Sequence, residues 1–142
     1  MRTDVKRRGW TISAEGNDLA DRFLESVFFT GNGRMGARGY PAYRPIRRPL
    51  DAGLFLAGFY DRISDSTELT DFVNLPTPIW YQIRLNGRIP AIPSHLSRAL
   101  DLRTGLLTFR YRLSIADDWV DVQEQRFFSL AKPSFLFQRL EF

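Results

Sequence analysis

Three observations predict a mostly β chain folded as an antiparallel β-sandwich. Leu107, Phe109, Tyr111 and Leu113 alternate with Thr108, Arg110, Arg112 and Ser114, so one face is apolar and the other polar at period two. The eight Pro and ten Gly fall mostly between apolar segments, as turn punctuation. Helix signals are confined to one short segment.

In chain order, that segment is Asp18 to Phe28, with Asn17 as N-cap, although Phe, Val and Ser crowd its second half. Ile79-Trp-Tyr-Gln-Ile-Arg-Leu85 reads as a strand. It runs into Asn86-Gly87, the pair that a type I′ hairpin turn prefers because both residues tolerate positive φ. Arg103-Thr-Gly105 and Ala116-Asp-Asp118 read as two more turns, separating strands near 97–102, 106–114 and 119–129. A last strand covers Phe135 to Phe142. It ends on Leu140-Glu-Phe142 with no polar tail, which predicts an incomplete portion of a larger polypeptide whose open sheet edge would be covered.

Composition bounds the chemistry. The chain has 142 residues, the size of one domain, with 44% apolar and 25% charged residues, a globular balance. It has no Cys and a single His, His95, which excludes a disulfide scaffold, a cysteine nucleophile and a zinc site needing two imidazoles. The net charge of +4 comes from Arg far more than from Lys. The start is charged but lacks the apolar core of a signal peptide, and the longest nearly apolar stretch, Gly53 to Tyr60, is far short of the ~20 residues that span a bilayer. A soluble cytoplasmic protein without a membrane partner is the expectation.

Few residues suggest chemistry by themselves. Gly31-Asn-Gly33-Arg-Met-Gly36 spells G-x-G-x-x-G, but a dinucleotide loop needs a helix next, and Pro41 and Pro45 with Gly39 block one. A tight glycine turn between β elements is the expected use. Arg34, Arg38, Arg44, Arg47 and Arg48, with Tyr40 and Tyr43 interleaved, form a basic stretch without an acidic residue. Such a patch binds phosphates and stacks bases in some proteins, yet no recognised nucleic-acid module accompanies it, so nucleic acid is not the favoured partner. Asp117, Asp118 and Asp121 cluster at a turn, where Asp is common, and His95 sits outside any G-x-S-x-G context. No catalytic residue and no metal site is assigned. The 20 aromatics, 14% of the chain, suit a stand-alone carbohydrate-binding β-sandwich as the alternative reading, because ring faces stack on sugars.

A larger pattern then emerges. Glu25-Ser-Val-Phe-Phe-Thr-Gly31-Asn-Gly-Arg-Met-Gly-Ala-Arg-Gly39 resembles the opening E-S/T-L-F-x-x-G-N-G-x-x-G-x-R-G of glycoside hydrolase family 65. Gly53-Leu-Phe-Leu-Ala-Gly-Phe-Tyr-Asp-Arg62 and Asp71-Phe-Val-Asn-Leu-Pro76 are similar to its G-T-Y-x-A-G-x-Y-D-R and E-L-V-N-L-P segments. Leu100-Asp-Leu-Arg-Thr-Gly-Leu-Leu-Thr108 and Gln125-Arg-Phe-Phe-Ser-Leu-Ala131 continue the match in the same order. The family holds maltose, trehalose and kojibiose phosphorylases.

The resemblance implies that residues 1–142 are an N-terminal β-sandwich domain of the family's super-sandwich type, truncated, and followed in the family by an (α/α)6-barrel catalytic domain absent here. The family reaction attacks an α-glucosidic bond with phosphate or, in some members, water, inverting at the anomeric carbon. On that basis the partners are the barrel domain, α-linked glucosides and a second copy in a homodimer. Inorganic phosphate is a co-substrate and no cofactor is needed. Gly31, Asn32, Gly33, Gly36, Arg38, Gly39, Asp61, Arg62, Asn74 and Arg103 are carried over as structural or domain-interface residues, with ion pairs from Arg38 and Arg62 to Asp61 or Asp101, or to the barrel domain, expected.

Overall fold

The computed structural model describes residues 4–16, 22–43, 53–62, 70–91, 93 and 95–142. The expected N-cap Asn17, and Arg44, Arg47 and Arg48 of the basic stretch, lie outside the described residues. Among the described residues, eleven strands and one short helix follow in the order β1 (Val5–Arg8), β2 (Thr11–Gly16), α1 (Arg22–Val27), β3 (Thr30–Gly31), β4 (Met35–Ala37), β5 (Leu54–Leu56), β6 (Tyr60–Arg62), β7 (Thr70–Phe72), β8 (Leu96–Asp101), β9 (Leu106–Ile115), β10 (Asp118–Phe128) and β11 (Leu136–Glu141).

The main layer is a six-stranded antiparallel sheet in the order β1-β2-β8-β9-β10-β11. β9 and β10 are long because their alternation is unbroken: Leu107, Phe109, Tyr111 and Leu113 of β9 stand opposite Arg126, Glu124, Val122 and Val120 of β10. Their inner faces bury together with Leu96 and Leu100 of β8. A second, broken layer covers that face. It comprises α1, the small sheet β3-β4-β5 and extended chain. The exposed pair β6-β7 lies beside β5, Phe72 meeting Phe55 edge-on at 6.0 Å. Leu24 and Phe28 from the helix end, and Tyr43, join the first core; Ala37, Tyr40, Ala42, Leu54, Ile79 and Phe128 form a second. The architecture is the expected antiparallel, sandwich-like one.

Strands β8 to β11 and the helix match their sequence signals. Asn86 and Gly87 carry φ of 48° and 77°, as a type I′ turn requires. The strand expected over Ile79–Leu85 does not form. Its alternation is real, since Ile79 is buried and Tyr81, Ile83 and Leu85 are half-buried, but only Leu85 makes a bridge, to Arg88. Periodicity reports which side chains face the core; it does not guarantee a neighbouring strand. Strands β1 and β2, and the short ones from β3 to β7, carry no comparable period-two run. Among the described residues no helix is long and apolar enough to cross a membrane.

Candidate functional site

The glycine segment is a β3–β4 hairpin, and residues 38–43 that follow it are not helical, so its backbone offers no dinucleotide cradle of the strand–turn–helix kind. Asn32 braces it. Its Nδ2 donates to the carbonyls of Ser129 (2.7 Å) and Pro133 (3.0 Å), and its Oδ1 accepts from the N–H of Arg34 and Met35, both at 3.0 Å. The hairpin is thereby fastened to the turn between β10 and β11. Gly36 and Gly39 are needed for contact. A Cβ at Gly36 would lie 2.5 Å from the Phe29 ring, and one at Gly39 2.6 Å from the Phe28 carbonyl oxygen. The Gly39 N–H donates to the Glu25 carbonyl (2.8 Å), which closes the helix against the chain just after β4. Gly31 lies in β3, where a Cβ would come 2.9 Å from the Met35 carbonyl oxygen, while Gly33 occupies the exposed tip at φ 84°.

Arg38 turns its stem, not its charge, to use. Its side-chain carbons lie against Gly53, its N–H donates to the Gly53 carbonyl (3.0 Å), and its own carbonyl accepts from Arg126 Nη2 (2.8 Å). The expected Arg38 ion pair with Asp61 or Asp101 is absent among the described residues; Asp101 instead accepts from the N–H of Arg103 (2.8 Å). Asp61 is exposed on β6 opposite Asp71, Asn74 is exposed beyond β7, and Arg103 is exposed in the β8–β9 turn. The Arg62 backbone lies in β6, but its side chain, and hence its expected ion pair, is outside the described residues. The motif residues therefore do not converge on one cleft.

Buried charges on the inner face were missed. Arg98, Glu124 and Arg126 are fully buried there, and Glu124 and Arg126 come together. Glu124 Oε2 accepts from the Ala42 N–H (2.8 Å), Oε1 accepts from Gln138 Nε2 (3.2 Å), and Arg126 Nη1 lies 3.5 Å from Oε1. The Arg126 guanidinium sits between the Tyr40 and Phe109 rings, 5.2 and 5.1 Å from their centroids. Burial pushes the Glu124 carboxyl above its ordinary pKa, opposed by Arg126 and the Ala42 N–H, and pushes the Arg126 guanidinium down. Burial likewise raises the hydroxyls of Tyr40, Tyr81 and Tyr111. Tyr40 and Tyr43 are buried, their hydroxyls donating to Thr77 (2.9 Å) and to the Pro90 carbonyl (2.7 Å), so neither ring is offered to a base. The missed signal was parity: Glu124 and Arg126 occupy the same alternate positions as Val120, Val122 and Phe128.

The outer face of the sheet is polar and open. A shallow depression of about 670 Å³ is lined by His95, Ser97, Arg110, Arg112, Asp121 and Gln123, among others. Arg112 pairs with Asp121 through two hydrogen bonds of 2.6 and 2.7 Å and lies 4.1 Å from the Trp119 ring centroid. That contact raises the Arg112 pKa and lowers that of Asp121. Arg110 donates to Gln123 (2.8 Å), which donates to Glu141 (2.7 Å), itself paired with Arg139. Asp118, expected only as a turn residue, accepts from Asn86 Nδ2 (2.7 Å) and so links two hairpins. Among the described residues no group of three or more His, Asp or Glu side chains is placed to hold a metal.

A fold of this kind hosts many activities, and the comparison with known families decides its kinship. The family model for the glycosyl hydrolase family 65 N-terminal domain matches residues 14–142. The chain belongs to that family. The matched residues of this family 65 domain take in the second half of β2, the Asn32 hairpin and the whole of β8 to β11. The family 65 domain is also similar to the trehalose 6-phosphate phosphorylase of Lactococcus lactis subsp. lactis (strain IL1403), with 26% identity over 123 residues. That match takes in 79% of this chain and 16% of the relative, so the chain spans about a sixth of that phosphorylase's length.

Proposed function

We propose that this chain acts as the N-terminal, non-catalytic part of an α-glucoside phosphorylase or hydrolase, supporting a catalytic barrel domain and contributing to dimerisation. The observation that carries the reading is the family match over residues 14–142, joined to a phosphorylase relative of which the chain spans 16%. The destination of the motif side chains supports it: Asn32, Gly36, Gly39 and Arg38 are committed to the fold's own contacts. α-Linked glucosides are the substrate class, with trehalose 6-phosphate among them, and inorganic phosphate serves as nucleophile in a phosphorylase. In the test, maltose, trehalose, kojibiose and trehalose 6-phosphate are each incubated with phosphate. The chain alone releases no glucose phosphate, whereas a polypeptide carrying it ahead of a barrel domain does. Turnover by the chain alone overturns the non-catalytic role, and an inactive long polypeptide overturns the parent activity.

A second reading, a carbohydrate-binding module, is favoured by one observation. Phe29, Phe55, Phe72 and Tyr60 form a run of rings with centroids 6.4, 6.0 and 4.9 Å apart, and Phe29, Phe72 and Tyr60 are exposed. Titration of the chain with the same sugars distinguishes the readings, since quenching of fluorescence or release of heat requires a binding face.

A further inference from the structure

Asn-Gly occurs twice in the chain, at Asn32-Gly33 and at Asn86-Gly87. Glycine has no Cβ to shield its backbone nitrogen, so in this dipeptide the nitrogen can close on the asparagine side-chain amide. Local sequence treats the two pairs alike. The fold does not.

Asn32 is held at both polar atoms of its side chain. Nδ2 donates to the Ser129 and Pro133 carbonyls at 2.7 and 3.0 Å, and Oδ1 accepts from the Arg34 and Met35 N–H groups, each at 3.0 Å. Turning its Cγ onto the Gly33 nitrogen breaks these bonds at a half-buried position. Asn86 has a single tether, from Nδ2 to Asp118 Oδ2 at 2.7 Å on the exposed surface. Asn86 and Gly87 are both exposed, and a Cβ on Gly87 would meet nothing within 4 Å, so water has free access. The backbone bonds of this turn run between Leu85 and Arg88, both at 2.9 Å, and use neither the Gly87 nitrogen nor the Asn86 amide.

We infer that Asn86 is a site of spontaneous deamidation, that the fold spares Asn32, and that the reaction unties two hairpins. The Gly87 nitrogen loses its proton to hydroxide and attacks Asn86 Cγ. The new C–N bond closes a cyclic imide, while the Cγ–Nδ2 bond breaks and the amide nitrogen takes a proton and leaves as ammonia. Water then opens the imide at either carbonyl, giving aspartate or isoaspartate. Water enters and ammonia leaves, with no change of oxidation state. Both products lose the donor that tied residue 86 to Asp118 and set a second carboxylate beside it, so attraction becomes repulsion. Isoaspartate also lengthens the backbone by a methylene, which a two-residue type I′ turn does not accommodate.

The test incubates the 142-residue chain in mildly alkaline buffer, with and without urea. Peptide masses then follow amide-to-acid conversion at each asparagine, and labelling by an isoaspartyl methyltransferase reports the rerouted product. In the folded chain Asn86 converts, and Asn32, with four hydrogen bonds to give up instead of one, reacts at least about tenfold more slowly. In urea the two rates converge. Equal rates in the folded chain overturn the inference. So does an Asn86 that stays intact when folded while both sites react in urea, and so does a difference that persists in urea, which would belong to local sequence. The untying is read separately. Asn86→Asp lowers the urea midpoint, and adding Asp118→Asn restores it by exchanging donor and acceptor; an unchanged midpoint in the single variant overturns that part.

Discussion

Asn32 satisfies both amide hydrogens and both carbonyl lone pairs in one place, joining a hairpin tip to chain 97 and 101 residues away. Asn32→Ala removes four hydrogen bonds from a half-buried site and is expected to cost about 2 kcal/mol, read as a lower urea midpoint. Asn32→Asp keeps the acceptor and loses both donors, so it falls between. The glycines separate by cause. Gly39→Ala drives a methyl into the Phe28 backbone and is severely destabilising, whereas Gly58, at φ 81° with nothing within 4 Å, loses only the left-handed preference, about 1 kcal/mol, on change to Ala. Equal losses at the two sites would contradict the packing argument.

At the scale of elements, the β9–β10 hairpin shows a local rule being broken. Ile115 pairs with Asp118 across a two-residue turn, and Ala116 holds φ at 51° where such a turn favours glycine. Ala116→Gly is expected to stabilise the chain by about 1 kcal/mol, measured by thermal or urea unfolding. No gain would mean that Gly's greater unfolded freedom offsets the relief. The flanking strands were legible because residues 107–115 alternate without interruption. Ile79–Leu85 alternates as well, yet it packs on the core without a ladder, so its pattern was read correctly and its pairing was not.

For the whole molecule, the Glu124–Arg126 cluster ties the inner face of the sheet to the chain that crosses it at Ala42. Burial holds the folded-state pKa of Glu124 above the ordinary 4.5, so the folded chain binds this proton more tightly than the unfolded one. Stability from this group is full below that value and is lost as pH rises through the raised pKa. The stability of the natural chain relative to Glu124→Gln is therefore expected to shrink as pH rises above 4.5, checked by urea unfolding at several pH values. A difference that grows with pH would show that the hydrogen bonds to the carboxylate outweigh its burial.

Alternation, turn residues and the ordered motifs are local properties of the chain, and they were enough for the β class, four of the strands, the turns and the family. Which charges would be buried together was not local. Glu124 meets Ala42 across 82 positions, and Arg126 meets Arg38 across 88. The same alternate positions that carry Val122 carry these charges, and composition gives no sign of the rings that enclose them. Only the folded sheet, by bringing distant backbone donors and acceptors within 3 Å, makes burial of those charges tolerable.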